Sequence, residues 1–157
     1  MALRDSTYYA YRTPHGPITI GTKADAVSAI ALGDVVLPGV RKPTELSNAC
    51  ANQLLEYFHG KRTAFDLPIA AEGSDFQHEV WEAVSSIPYG QTATAAQIAE
   101  RIGKPDSFRM VGSAIRKNPL IIIIPGHRVV GNNGKTIGTD MYARIRQAFL
   151  ELERRNA

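Results

Sequence analysis

The chain has 157 residues, 44% of them hydrophobic and 21% charged, with a formal net charge of +3. That balance fits a globular protein with room for one domain or two small ones, and it excludes a disordered polyelectrolyte. The longest uninterrupted apolar run, residues 120–124, stops after five residues at Pro125, far short of the roughly 20 that a bilayer-crossing helix needs, so no membrane partner is expected.

A single cysteine, Cys50, excludes both an internal disulfide and a zinc site built on paired cysteines. His15, His59, His78 and His127 are scattered without metal-ligand spacing, and neither a metal nor a cofactor is expected. Residues 1–5 lack the basic region and apolar core of a signal peptide, which makes the cytoplasm the expected compartment, with nucleoid association in a bacterium. Through residue 74 there are seven Lys/Arg and seven Asp/Glu, and from residue 75 onward eleven against eight. The whole positive excess lies in the second half; such a half suits a polyanion such as nucleic acid and equally an ordinary solvated face. The sequence gives no sign of oligomerisation, and a monomer is expected.

In chain order, residues 6–12 are rich in Tyr and Thr, Thr13-Pro14-His15-Gly16-Pro17 is a turn cluster, and residues 18–21 continue as a return strand, which predicts a hairpin. Residues 26–32 add a third strand. Leu46, Ala49, Leu54, Tyr57 and Phe58 fall near helical spacing, with Gly60 as the stop, and residues 65–69 read as a short last strand. These elements make a small α+β domain over residues 1–70, followed by a linker.

Residues 74–157 form a second domain of different kind. Ser74-Asp75-Phe76-Gln77 has the capping-box pattern and opens a helix whose apolar stripe is Phe76, Val80, Trp81 and Val84. Thr94-Ala95-Ala96-Gln97 is a second capping box, on a short helix that stops at Gly103; Lys104-Pro105-Asp106 is a tight connection to a helix over 107–117. Two short helices so joined, the second carrying Arg109, Arg116 and Lys117, fit a helix-turn-helix and fit an ordinary helical hairpin equally well. Gly112, Ser113 and Ala114 lower the helix propensity of the second helix but let a groove or backbone come close. The run at 120–124 reads as a buried strand or extended segment delivering Pro125-Gly126-His127-Arg128-Val129 to a pocket, and 144–153 reads as a terminal helix.

Ile87-Pro88-Tyr89-Gly90, Ile98-Ala99, Val111-Gly112, Asn118-Pro119 and Ile124-Pro125-x-His127-Arg128-Val129-Val130-Gly131 resemble, in order and spacing, the motifs of the alkylguanine-DNA alkyltransferases. Pro14-x-Gly16-Pro17 and Leu54-x-x-Tyr57-Phe58 resemble that family's N-terminal half more weakly. The resemblance implies an α+β protein with an RNase H-like N-terminal domain and a winged helix-turn-helix C-terminal domain. It implies a double-stranded DNA partner bound through the minor groove, with O6-alkylguanine turned out of the stack into a pocket. Extrusion of a base costs a few kcal/mol, which an inserted guanidinium partly offsets by restacking; the resemblance assigns that finger to Arg116. DNA contacts are implied for Thr94, Ala95, Gly112, Ser113, Ala114, Arg116 and Lys117, and a lesion pocket for Pro125, Gly126, Val129, Gly138 and Thr139.

Members of the family carry a cysteine where this chain has Gly126, and that cysteine accepts the alkyl group and is consumed. His127 matches the histidine that draws off the thiol proton through water, and Glu153 matches the carboxylate that orients it. A thiolate, not a thiol, is the nucleophile, so the relay exists to activate sulfur; with glycine it has nothing to activate. Ala95 stands in place of a tyrosine that helps rotate the target nucleotide, and Gly138-Thr139-Asp140-Met141-Tyr142 keeps one glycine of the usual pocket-closing loop. Asn118, His127 and Glu153 remain, partly as fold support. The expected function is recognition of O6-alkylguanine in duplex DNA without alkyl transfer, handing the lesion to other repair proteins. The alternative is a transferase whose acceptor cysteine has been exchanged for Gly126; a hydrolase using His127 and a plain DNA-binding regulator are two further readings.

Overall fold

The computed structural model describes residues 5–134 and 141–157. Packing divides the chain into two compact units, Met1–Glu72 and Gly73–Ala157.

The first unit is a four-stranded sheet with one helix. β1 (Ser6–Thr13) and β2 (Gly16–Lys23) form an antiparallel hairpin, β3 (Ala26–Leu32) pairs antiparallel with β2, and β4 (Val40–Arg41) pairs parallel with β1, giving the order β3-β2-β1-β4. The hairpin closes through Gly16, whose φ of 89° is open to glycine at no cost. Helix α1 (Glu45–Phe58) is opened by Thr44, whose hydroxyl accepts from the Ser47 amide at 3.0 Å while Ser47 Oγ accepts from the Thr44 amide at 2.8 Å. The Tyr11 hydroxyl meets Ser47 Oγ at 2.7 Å, so the face of the sheet carrying Tyr11 lies under α1. Cross-strand partners share a face, and Tyr11 is opposite Ile18 while Tyr9 is opposite Ile20. Ile18 and Ile20 are therefore buried beneath α1, with Leu54 and Tyr57 in the same core. Thr19 and Gly21 point the other way, where Thr19 Oγ1 donates to the Gly33 carbonyl and accepts from the Val35 amide at 3.0 Å. The 33–38 segment thus covers the second face, which is why β2 is buried on both sides.

The expected strand at 65–69 is absent. It is reduced to a single parallel bridge from Ile69 to Val27, because Pro68 has no N–H to give a ladder and contributes only its carbonyl, which accepts from the Val27 amide at 2.8 Å. The two-residue β4, by contrast, carries too short a pattern to be read from sequence.

The second unit is mostly helical: α2 (Asp75–Ser85), α3 (Ala95–Arg101), α4 (Phe108–Arg116) and α5 (Met141–Asn156), with a two-stranded parallel pairing of β5 (Ala93–Thr94) and β6 (Val129–Val130). Both expected capping boxes are present, with Ser74 and Gln77 opening α2 and Thr94 and Gln97 opening α3. Gly103 at φ 74° ends α3 in the left-handed conformation that glycine favours there, and a 3-10 turn over Pro105–Ser107 leads into α4. α3 and α4 pack on each other and on α2, forming the helix-turn-helix. Val111 and Ala114 of α4 are buried, and the Trp81 indole Nε1 donates to the Ala114 carbonyl at 2.9 Å. Trp81→Phe removes one of the two donors to that carbonyl, leaving the Lys117 amide at 3.2 Å, and is expected to lower the stability of this unit by about 1 kcal/mol. Urea unfolding measures it, and an unchanged midpoint would mean that apolar burial alone holds α2 to α4.

Residues 120–124 are not the expected strand either. Leu120, Ile122 and Ile124 are buried, but Ile122 has a φ of 74° and the Ile123 amide donates to the Ile121 carbonyl at 2.9 Å, a three-residue turn. A β-branched residue in that conformation is strained by roughly 1–3 kcal/mol. The apolar run buries its side chains as anticipated, while its backbone folds back on itself.

Candidate functional site

The centre of the second unit is one carboxylate. Glu153, on α5, is fully buried and accepts from four N–H groups: His127 Nε2 at 2.6 Å, Arg128 Nε at 2.7 Å and Nη2 at 3.0 Å, and the Gly90 amide at 3.1 Å. Arg128 also donates from Nη1 to the Ile87 carbonyl at 2.8 Å, and its guanidinium lies 5.6 Å from the centre of the Tyr89 ring. The cluster ties α5, the 87–90 turn after α2, and the 3-10 turn Gly126–Arg128 into one piece. A carboxylate in a dry interior needs its charge compensated, and Arg128 does that.

His127 stays neutral in this setting. Burial pushes its pKa below the ordinary histidine value; the Glu153 carboxylate opposes that and Arg128 adds to it. The hydrogen on Nε2 is given to Glu153, which leaves Nδ1 as the acceptor nitrogen of the ring. Because the unfolded chain binds a proton on this histidine more readily than the folded one, stability must fall as pH drops below about 6.5. Burial also lowers the pKa of His15 in the first unit, so the comparison with His127→Gln isolates the site. The variant is expected to flatten the acid limb of the urea midpoint between pH 7.5 and 5, and identical slopes would show that His127 does not titrate in this range.

Gly126 is delivered by a second tight turn, with its amide donating to the Ile124 carbonyl at 2.7 Å. Asn118 braces that turn: Nδ2 donates to the Ile124 carbonyl at 2.7 Å, and Oδ1 accepts from the Leu120 amide at 2.9 Å. A Cβ placed on Gly126 would stand 3.4 Å from Asn118 Nδ2 and 3.5 Å from Ile115 Cγ2. Glycine is therefore not demanded by space or by backbone conformation, and a side chain at 126 would project beside the C-terminal end of α4.

α4 has a buried side and a cationic side. At 100° per residue, Arg109, Gly112, Ser113 and Arg116 fall on the face opposite the buried Val111 and Ala114. Arg109, Arg116 and Lys117 are exposed, and Gly112 and Ser113 half-buried. The Arg116 guanidinium lies back along its own helix, with Nη1 3.6 Å from where a Gly112 Cβ would be. A cationic face with small residues at its centre can approach a phosphate backbone closely.

Residues 7–71 match the family profile described as the ribonuclease-like domain of 6-O-methylguanine DNA methyltransferase, and residues 75–155 match that protein's DNA binding domain. The chain belongs to the 6-O-methylguanine DNA methyltransferase family. A methylated-DNA–protein-cysteine methyltransferase of Methanosarcina barkeri is 50% identical over 106 residues, covering 68% of this chain and 67% of the relative. The one from Methanosarcina acetivorans is 36% identical over 156 residues, covering 93% and 97%. Among solved structures, the O6-methylguanine methyltransferase of Mycobacterium tuberculosis superposes with a TM-score of 0.88 at 35% identity, covering 97% of this chain and 94% of its own. The same protein has also been solved in complex with DNA.

This is a family of DNA-binding alkylguanine repair proteins, and the fold has its two domains, ribonuclease-like and winged helix-turn-helix. Within that frame His127, Glu153, Asn118 and Gly126 come together around the 3-10 turn, while Arg116, Lys117, Gly112 and Ser113 share the outer side of α4. Ala114 does not: at 2% exposure its methyl group packs inward and its carbonyl is held by Trp81, so it supports the helix instead of contacting a groove. Thr94 is half-buried and its hydroxyl accepts from the Gln97 amide at 3.2 Å, with the half-buried Ala95 next to it. Pro125 and Val129 are buried, Val129 in β6 opposite Ala93, so of these pocket residues Gly126 carries the accessible surface. Gly138 and Thr139 lie outside the described residues. The sequence places Arg109 on the basic helix and Arg128 in the 124–131 motif but gives neither a role of its own. Arg109 carries the same charge as Arg116 seven residues earlier, a spacing that marks a shared helix face. Arg128 looks like a surface cation until its carboxylate partner is placed. Cys50 lies buried in α1 of the first unit, its thiol pushed up to about 12 by burial, and offers no replacement for an acceptor at 126.

Proposed function

We propose that this protein binds duplex DNA through the outer side of α4 in the minor groove, turns O6-alkylguanine out of the stack towards Gly126, and holds it there without accepting the alkyl group. The observation that carries this reading is the coincidence of an intact His127–Glu153–Arg128 cluster with a residue at 126 that has no side chain. Transfer to protein needs a nucleophile beside the histidine. None is present at 126, and Cys50 is buried and protonated. Water is a much poorer nucleophile towards an alkyl carbon than a thiolate, which disfavours hydrolysis. The DNA complex of the Mycobacterium tuberculosis relative supports a DNA partner. The lesion, once held, would be passed to other repair proteins.

Two arginines share the stripe that faces the groove. The sequence resemblance points to Arg116 as the group that fills the vacated stack; we assign that insertion to Arg109. Arg116 lies back over Gly112, one turn from Ile115, which borders the Gly126 position. Arg109 stands about 10 Å further along the axis, displaced from the position that receives the base. Arg109→Ala is expected to remove lesion preference, and Arg116→Ala to weaken binding to all duplexes alike.

The test is titration of duplexes with and without O6-methylguanine at two salt concentrations. The lesion duplex should bind at least about tenfold tighter, and the two cations left to face phosphates, Arg116 and Lys117, should give a log–log salt slope of about −2. Equal affinity for both duplexes would remove lesion recognition and leave a plain DNA-binding module.

A further inference from the structure

The N-terminal turn of α4 exposes two large apolar side chains in a helix whose outer side is otherwise cationic. Phe108 is 48% and Met110 58% exposed, on either side of Arg109 in sequence. Single exposed hydrophobics are ordinary on protein surfaces; this pair brackets the cation assigned above to the vacated stack. At 100° per residue Phe108 lies in the column of Ile115, which leads to the Gly126 position, and Met110 lies in the column of Lys117, so the two straddle the Arg109–Arg116 stripe. The Arg109 guanidinium is 5.9 Å from the centre of the Phe108 ring, at the outer reach of a cation–π contact, so ring and cation lie side by side.

Resting on the DNA-binding reading above, we propose that Phe108, with Met110 on the opposite flank, is an apolar wedge that enters the minor groove beside Arg109 and stacks against the base pair flanking the everted nucleotide. The charge of the surrounding stripe selects the occupant. Arg109, Arg116 and Lys117 border the apolar pair on one short helix, so a partner has to present anionic groups around an apolar floor, as the phosphates and stacked bases of a duplex do. Apolar side chains that enter the minor groove unstack a base step at a cost of a few kcal/mol and recover it in contact with the bent DNA. Aromatic stacking on a nucleobase carries no sequence preference. The wedge would therefore make opening of the duplex independent of the neighbouring base, while Gly126 reads the lesion.

The measurement uses the full chain and a duplex carrying O6-methylguanine with 2-aminopurine as its neighbour. The wild-type protein should brighten the 2-aminopurine on binding, because the flanking stack opens. Phe108→Ala should lose that signal and bind about tenfold more weakly; Phe108→Trp should restore both, and Met110→Ala should give a smaller loss of the same kind. Thermal unfolding of Phe108→Ala should match the wild type, since the ring is half in solvent. If Phe108→Ala binds and brightens like the wild type, the wedge is overturned while the DNA-binding reading stands. A wild-type protein that binds no duplex would overturn both.

Discussion

Replacing Glu153 by glutamine is expected to lower the stability of the second unit by about 3–5 kcal/mol, the cost of leaving a buried cation without its counter-charge. Arg128 is buried, gives two of its N–H groups to this carboxylate and another to the neutral Ile87 carbonyl. A glutamine amide would also turn an NH2 group towards a donor, because both carboxylate oxygens of Glu153 accept from N–H groups. At roughly 4–8 °C per kcal/mol for a domain of this size, the melting temperature should fall by more than about 12 °C. Replacing the pair together, Arg128→Met with Glu153→Met, should recover much of the loss, since an apolar pair of similar volume removes the unpaired charge altogether. A loss below about 1 kcal/mol in Glu153→Gln would mean that this cluster does not hold α5 to the 87–90 turn.

Gly126→Cys is expected to fold with stability close to that of the wild type, and yet to transfer an alkyl group at least about 100-fold more slowly than the Mycobacterium tuberculosis relative under the same conditions. The added Cβ meets its nearest neighbours at 3.4 and 3.5 Å and needs no left-handed backbone, so it costs little. A neutral His127 with its Nε2 hydrogen committed to Glu153 is the form that can accept a thiol proton at Nδ1. What the substitution does not restore is the positioning of the nucleotide. Ala95 offers only a methyl group at the start of α3, and misplacement of the reacting carbon by about 1 Å is enough to cost about 10²-fold. Single-turnover transfer from labelled duplex reads the rate. A rate equal to the relative's would show that the cysteine was the sole element missing, and would favour a transferase altered at one position.

How far the sequence reaches is clearest where local signals are strong. The capping boxes at Ser74 and Thr94, the stop at Gly103 and the hairpin around Gly16 depend on contacts within four residues, and all are present as expected. The readings that differ depend on contacts outside the window. Residues 120–124 are apolar because they are buried, and burial says nothing about whether the backbone runs straight or turns at Ile122. Pro68 turns an apparent strand into a single bridge because the neighbouring β3 needs a donor that proline lacks. At the site, the motif around 125–131 carries His127 and marks the empty position at Gly126. The Arg128–Glu153 pair spans 25 residues and became visible only when α5 was placed. Ala114 illustrates the opposite error: a small residue on a basic helix suggests close approach to a partner, yet here it makes room for Trp81.

The most direct test of the missing acceptor is the mass of the protein itself. The wild-type chain is incubated with duplex carrying O6-methylguanine, beside the Mycobacterium tuberculosis methyltransferase, and both polypeptides are weighed intact. The relative should gain one methyl group, while this chain should keep its mass and still retain the methylated duplex in a gel-shift assay. A methylated form of this chain would contradict the account, because it would show an acceptor outside position 126.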